Sequence, residues 1–560
     1  MASQNPLSPF LRQLDPLSFA KSLAETTTSA ARKPRAVVDL AATTASGWVR
    51  TGMSAANLLV TGDTEPPRQP ERGDRRFSDE AWEKNPGYFA LLQLYLLGEE
   101  LMNKVVDAAD FDDKPSERKA RFAAQLLVDA LSPTNTLLGN PAALRKAKET
   151  NGASLAKGFA TFLRDLVQNQ GWPRKVDASE FTVGVDMAAT PGKVVFRNDL
   201  IELIEYAPQT EEVYEIPLLL SPPWINKFYI MDLAPGKSLA EWAIQHGHRT
   251  FAISYRNPDA SMRDMSFADY MHQGTRAAID AIRSITGAKK VNTASVCLGG
   301  TLTAMALAYE AGRRNRSINC ASQIVSLLDF EEPGVLGAFT DDGTVEMLEE
   351  TMRDKGYLEA KDMARTFDLL RANDLVFNYV VNNWLMGEEP PAFDLLAWND
   401  DSTRMPAKMH SEYLRQCYMN NDLSNARMVV DGRTLDLSKV KNDVYVLATV
   451  GDHIVPWTSA YVATQRFGGK NRFVLSTSGH IAGIVNPPSP KAKHWVNEDL
   501  PADPDKWLDG AELVESTWWE DWAVWIGERA GDMIPAPTEL GTEEFPALCD
   551  APGTYVLAKS

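Results

Sequence analysis

Ser295-Val296-Cys297-Leu298-Gly299-Gly300 is the stretch that decides the fold. It joins the apolar run Lys290-Val291-Asn292-Thr293-Ala294 to the helix-like Thr301-Leu302-Thr303-Ala304-Met305-Ala306-Leu307-Ala308. A short strand, a glycine-bearing corner and a helix make a nucleophile elbow, the strained turn that lifts one side chain above an α/β-hydrolase sheet. Here that side chain is the thiol of Cys297, in place of the usual serine hydroxyl. A thiol is a strong nucleophile even when only partly ionised, which points to chemistry on thioesters.

Such a nucleophile needs a base and an orienting acid, and this fold presents them in the order nucleophile, acid, histidine. Gly451-Asp452-His453-Ile454-Val455-Pro456-Trp457 follows the strand-like Ala448-Thr449-Val450, and Gly479-His480 follows Phe473-Val474-Leu475-Ser476. Cys297, Asp452 and His480 are therefore the expected triad. His453 is a competing base, but it adjoins Asp452 in the chain, so the two side chains do not readily face one nucleophile; a supporting hydrogen-bond role suits it better. Ser295 is a competing nucleophile, but Gly299 stands two residues after Cys297 whereas Thr293 stands two before Ser295. Its small side chain is read as permitting the tight corner.

The chain has 560 residues, 44% hydrophobic and 24% charged, enough for a catalytic domain with an accessory region. A formal charge of −18 argues against a nucleic-acid partner, because phosphate binding demands a basic face. Cys297, Cys320, Cys417 and Cys549 are scattered, which suits neither a disulfide framework nor a metal site and fits a reducing cytoplasm. His246 and His248 resemble a ligand pair, but without a third ligand nearby they read as a surface turn, and no metal is expected. No phosphate-cradling glycine motif is present. The segment from Met1 to Pro16 lacks the basic and apolar regions of a signal peptide, and no uninterrupted apolar run of membrane-spanning length occurs.

Residues 1–75, rich in Ser, Thr and Ala and ending in a Pro/Arg/Glu stretch, read as a flexible arm with one or two weak helices, Ala36 to Val60 foremost. Residues 76–190 read as an all-α domain, broken at Ser132-Pro133-Thr134-Asn135 and Asn140-Pro141. From 191 to 560 the expectation is a catalytic α/β domain with a mostly parallel sheet. It opens with a hairpin around Asn198-Asp199 and continues with strands at Ile216 to Leu220, Thr250 to Tyr255, Val291 to Ser295, Gln323 to Leu328, Asp443 to Val450 and Arg472 to Ser476. A helical, aromatic-rich insertion at about 331–438, including Phe377-Asn378-Tyr379-Val380-Val381-Asn382-Asn383-Trp384, suits a cap that excludes water. Trp518, Trp522 and Trp525 share one face of a tail helix. They read as packing residues, with a polymer-contacting surface as the alternative.

These residues, with a series of further motifs, resemble the polyhydroxyalkanoate synthases of the single-subunit type. The motifs are Arg76-Phe77-Ser78-Asp79-Glu80-Ala81-Trp82, Ser132-Pro133-Thr134-Asn135, Pro222-Pro223-Trp224-Ile225-Asn226-Lys227-Phe228-Tyr229-Ile230-Met231-Asp232-Leu233, Tyr255-Arg256-Asn257-Pro258, Phe393-Asp394-Leu395-Leu396-Ala397-Trp398-Asn399, and Gly479-His480-Ile481 with Val485-Asn486-Pro487-Pro488. Ser295 is a departure, since the box in that family usually begins with glycine. The resemblance implies polymerisation of (R)-3-hydroxyacyl-CoA into polyester with release of CoA, and no cofactor. It further implies a cysteinyl thioester on Cys297, with the backbone amides of Leu298 and Ile225 as oxyanion donors and Asn226 in support; whether His480 or Asp452 activates the incoming hydroxyl stays open. A homodimer working in the cytoplasm at the surface of polyester granules is expected, with CoA phosphates met by Arg and Lys side chains near the cap. Short-chain monomers are expected, with medium-chain units open. A cysteine-dependent thioesterase resembling dienelactone hydrolase, and a non-enzymatic granule coat, are the competing readings.

Overall fold

The computed structural model of the chain describes residues 16–560. Residues 1–15, the start of the expected arm and of the stretch read for a leader, lie outside the described residues. The chain forms two compact units. One comprises residues up to 177 together with 365–391, the other residues 178–364 together with 392–560.

The first unit is helical: α1 (Pro16–Ala31), α2 (Pro34–Thr61), α3 (Pro86–Ala108), α4 (Lys114–Ala130), α5 (Pro141–Glu149) and α6 (Ala153–Gln168). Local sequence sets their starts. The side chains of Asn85, Asp113 and Asn140 each accept from an amide of the first turn that follows, and prolines enter where no donor is needed. Phe77, Trp82, Leu92 and Leu96 form the buried centre. The expectation of a flexible arm is corrected for 16–75. Phe19 of α1 is buried with its ring 5.6 Å from that of Phe122, and α2 lies so close to α3 that a Cβ on Gly47 would meet Leu97 at 2.6 Å. The small residue Gly47 here serves close helix packing.

Residues 365–391, expected within the cap, belong to this helical unit. A Cβ on Gly158 would lie 2.1 Å from the carbonyl oxygen of Trp384, whose indole donates to Asp165 at 2.9 Å. Asn373 donates to Asp129 (2.7 Å), and the buried pair Lys175 and Asp368 closes at 2.7 Å. The unit ends at Asp177 rather than near 190, although the sheet of the second unit begins at Gly192, as the sequence indicates.

The second unit is built on one eleven-stranded sheet, with strands β1 (Gly192–Arg197), β2 (Ile201–Tyr206), β3 (Leu218–Ser221), β4 (Thr250–Tyr255), β5 (Val291–Val296), β6 (Ile318–Ile324), β7 (Asp443–Thr449), β8 (Asn471–Ser476), β9 (His494–Val496), β10 (Glu512–Val514) and β11 (Cys549–Asp550). Their order is β10-β9-β8-β7-β6-β5-β3-β4-β2-β1-β11. The six strands from β4 to β8 in that order run parallel, and antiparallel strands extend both edges. The expected hairpin is β1 and β2: Asn198 turns its side chain to accept from the amides of Leu200 and Ile201, fixing the corner. The strand expected at Gln323 to Leu328 lies earlier, at Ile318–Ile324. The helix that begins at Phe267 widens into a π-helix at Tyr270–Arg276 and continues to Thr286. Near-continuous burial along β3, β5 and β7 marks a sheet covered on both faces.

Candidate active site

β3, β5, β7 and β8 run parallel, so their carboxyl ends share one edge of the sheet, and each delivers part of the site there. β5 ends at Val296, and the next residue, Cys297, has φ 51° and ψ −119° and stands at the start of helix α7 (Leu298–Gly312). A non-glycine residue in that region of backbone space is strained, and the surroundings must hold it there. They do so through two glycines. A Cβ on Gly299 would lie 2.2 Å from the carbonyl oxygen of Ser221, and one on Gly300 2.0 Å from Oγ of Ser326. The Cys297 amide donates to the carbonyl of Ile324 on β6 (2.9 Å). Ser295 is fully buried and its Oγ bonds Oγ1 of Thr303 at 2.7 Å. It therefore fills the place of a small residue within the strand and helix packing, away from the turn's exposed apex.

After β7 the loop reaches Asp452. Its Oδ1 accepts from the amides of Ile454 (2.9 Å) and Val455 (2.8 Å), and its Oδ2 accepts from Nδ1 of His480 at 2.6 Å. Both side chains are buried. Burial alone would lower the basicity of His480, but the charge of Asp452, the charge of Cys297 and hydrogen bonding to both outweigh it and raise the imidazole from 6.5 to about 10. The two acidic partners favour the charged form of this buried imidazole. His453 is half-buried on the same loop, and the imidazole that Asp452 engages is that of His480.

His480 opens a short helix (His480–Ile484) that the tail of the chain clamps from behind. The indole of Trp518 donates to the carbonyl of Gly483 (2.8 Å) and that of Trp519 to Ile484 (3.1 Å), while Trp522 donates to Ser322 of β6 (2.9 Å). The tryptophan face of the tail is thus buried packing that sets the position of the histidine.

β3 leads through Pro222-Pro223 into the loop Trp224-Ile225-Asn226. Among the described residues, neither the Ile225 amide nor that of Leu298 donates to a protein acceptor. Asn226, at φ 61°, turns the loop. One side chain brackets Ile225: the hydroxyl of buried Thr403 donates to the Trp224 carbonyl (3.0 Å) and accepts from the Asn226 amide (3.0 Å). Tyr413 and Tyr418, also from the insertion, come near the sulfur. Burial, and then the charges around them, including that of Cys297, hold both phenols in the neutral form. With Trp224, Phe267, Tyr270 and Phe330 they make an aromatic wall of edge-to-face contacts. Thr403 and the two tyrosines were not singled out from sequence. A lone threonine carries no chemical signature, and tyrosines in an aromatic-rich helix read as core.

The remaining cysteines have other surroundings. Burial pushes the thiols of Cys320, Cys417 and Cys549 up, and most strongly disfavours the thiolate at the fully buried Cys320 and Cys417. His246 bonds its own helix through the Trp242 carbonyl (2.8 Å), and buried His248 packs against Tyr214 and Trp522.

An elbow cysteine, a histidine and an aspartate at the carboxyl edge of a mostly parallel sheet define a protein of the α/β-hydrolase fold. Comparison with known proteins narrows that class. A family model described as alpha/beta hydrolase fold matches residues 218–487, and one described as Poly-beta-hydroxybutyrate polymerase (PhaC) N-terminus matches residues 73–243. The chain is 46% identical over 501 residues to the poly(3-hydroxyalkanoate) polymerase of Methylorubrum extorquens, covering 89% of this chain and 83% of that one. It is 42% identical to poly(3-hydroxyalkanoate) polymerase 1 of Ectopseudomonas oleovorans (90% and 89%), and 41% identical to the poly(3-hydroxyalkanoate) polymerase subunit PhaC of Cupriavidus necator (87% and 83%). The chain belongs to the poly(3-hydroxyalkanoate) polymerase family.

Proposed function

We propose that this polymerase builds polyester from (R)-3-hydroxyacyl-CoA by way of a thioester on Cys297. The observation that carries the reading is the buried contact of Asp452 with His480 behind the elbow thiol. His480 holds the thiol proton, and the sulfur of Cys297 attacks the thioester carbonyl. The amides of Leu298 and Ile225 receive the oxyanion; CoA then leaves as His480 returns the proton to its sulfur. One thioester replaces another, so the step is nearly balanced in energy. The 3-hydroxyl of a further unit then attacks the enzyme-bound acyl group, an ester forms and the sulfur is freed. His480 is the base for that hydroxyl in this reading, and direct activation by Asp452 is the alternative. The aromatic wall supports it, because water is the rival nucleophile and an apolar lining disfavours its entry. No cofactor enters the scheme.

Purified protein with (R)-3-hydroxybutyryl-CoA should release CoA and yield insoluble polyester. Soluble 3-hydroxybutyrate without polymer would favour the thioesterase reading and overturn this one. Cys297→Ala should abolish CoA release; release at the wild-type rate would overturn the assignment of the nucleophile and leave the granule-coat reading standing.

The proposal extends to location. Among the described residues no helix is long and apolar enough to cross a membrane. On α2, however, Val38, Trp48, Val49, Met53, Leu59 and Val60 are exposed along one face, opposite the packed face of Gly47, Thr51 and Leu58. A stripe of that kind suits adsorption to an apolar polymer surface in the cytoplasm. Self-association as a homodimer completes the proposal, and light scattering of the purified protein tests it.

A further inference from the structure

We infer that Thr403 is a positioning residue for acyl transfer, its hydroxyl fixing the Ile225 amide where the oxyanion develops. The inference rests on the reading of Ile225 as an oxyanion donor and adds what holds it in place. An oxyanion donor works only if it is aimed before charge appears, and a backbone amide on a loop has no rigidity of its own. Ile225 lies in such a loop, between the end of β3 and a short 3₁₀ turn at Phe228–Met231. Thr403 grips both neighbours of Ile225 through a single atom: Oγ1 donates to the Trp224 carbonyl and accepts from the Asn226 amide, each at 3.0 Å. With both adjoining peptide groups anchored to that atom, the Ile225 amide keeps one direction while making, among the described residues, no protein hydrogen bond itself.

The support behind Thr403 is firm. Trp398 donates from its indole to the Lys227 carbonyl (2.8 Å), and Asp401 takes Lys227 (2.8 Å) and the Tyr229 hydroxyl (2.8 Å) on its two oxygens. The segment 398–403 is thus tied to the Trp224 to Tyr229 loop by five bonds, of which the two made by Thr403 act on the peptide groups flanking Ile225. Threonine satisfies a donor and an acceptor requirement together. Valine has its shape and neither capacity.

Thr403→Val and Thr403→Ser separate the hydroxyl from the shape. With (R)-3-hydroxybutyryl-CoA as substrate, Thr403→Val should lower kcat for CoA release about 10- to 100-fold, less than outright loss of a donor, with KM within about threefold. Thr403→Ser should restore most of kcat. The rate of Cys297 alkylation by iodoacetamide should be unchanged in both, because it reads the thiol and His480 rather than the oxyanion site. Equal kcat in the valine and serine variants would overturn the inference. If Thr403→Val does not fold, Thr403→Ser and Thr403→Ala, which also differ in the hydroxyl, give the same comparison. Release of CoA by Cys297→Ala would instead overturn the underlying reading, so the two failures are distinguishable.

Discussion

Asp452→Asn removes the charge that His480 depends on, and the structure gives the size of the effect. In the intact site burial lowers the imidazole, yet Asp452 and Cys297 raise it from 6.5 to about 10. That rise corresponds to a preference for the charged ring on the order of 5 kcal/mol. With asparagine the burial remains and the main opposing charge is gone, so the imidazole should fall toward or below 6.5. At pH 8 the protonated fraction of the imidazole would then drop from about 0.99 to about 0.03 or less. Misorientation of the ring adds to this, because asparagine can turn its NH₂ toward Nδ1 and favour the wrong tautomer. The assay is the pH dependence of Cys297 alkylation by iodoacetamide, followed from pH 5 to 10, alongside CoA release. The variant should be alkylated more slowly than wild type at pH 8, because the cation beside the sulfur is lost. Stability should follow the same groups. Because the folded-state value lies above that of the unfolded chain, the contribution of His480 is whole below about 6.5 and drains away as pH rises toward 10. An Asp452→Asn enzyme with an unchanged alkylation rate at pH 8 and CoA release within about threefold of wild type would refute the reasoning.

Ser295→Gly should lose the bond to Thr303 at a cost of about 1 kcal/mol in urea denaturation, with CoA release unchanged. Gly299→Ala should be severely destabilised or fail to fold, since its Cβ would collide with the Ser221 carbonyl, and the yield of soluble protein reads this directly. Trp519→Ala should cost about 3 to 5 kcal/mol of stability, and a slower Cys297 alkylation should accompany it because the His480 helix loses a clamp. Trp48→Glu with Met53→Glu should weaken sedimentation with polyester granules while leaving CoA release from soluble substrate intact, as both side chains point away from the packed face of α2.

What the sequence made legible was local. The elbow stands out because β5 reads as a strand, α7 as a helix, and the corner between them holds glycines where a side chain would strike Ser221 or Ser326. The hairpin at Asn198 is written into an asparagine that bonds its own following amides. Burial and sheet membership, however, are different properties, and an apolar run reports only the first. Ser326, Leu327 and Leu328 are buried, but the chain has already left β6: Val325 takes φ 45°, Oγ of Ser326 bonds the Ile324 carbonyl, and the Leu327 carbonyl accepts from Thr301. Helical residues 365–391 could be read as helical, but the contact that assigns them to the first unit is a close approach to Gly158, more than two hundred residues earlier.

The same distinction explains why the triad was legible and its supports were not. Cysteine, aspartate and histidine are marked by their chemistry and by chain order, so three residues far apart in sequence can be joined before any coordinate is known. Thr403, Trp518 and Trp519 act only by holding something else, and holding is a property of the assembled fold. Yet in the proposed mechanism the rate of acyl transfer depends on them in the same way. In the proposed reaction His480 prepares the attack by Cys297, and of the two amides proposed to receive the oxyanion one is fixed by helix α7 and the other is borne on a loop. Helix α7 positions Leu298 through its own hydrogen bonds and through the packing of Gly299 and Gly300. The loop has no such internal order, and the insertion supplies it through the hydroxyl of Thr403. Variation in that part of the insertion should therefore alter turnover without touching the nucleophile.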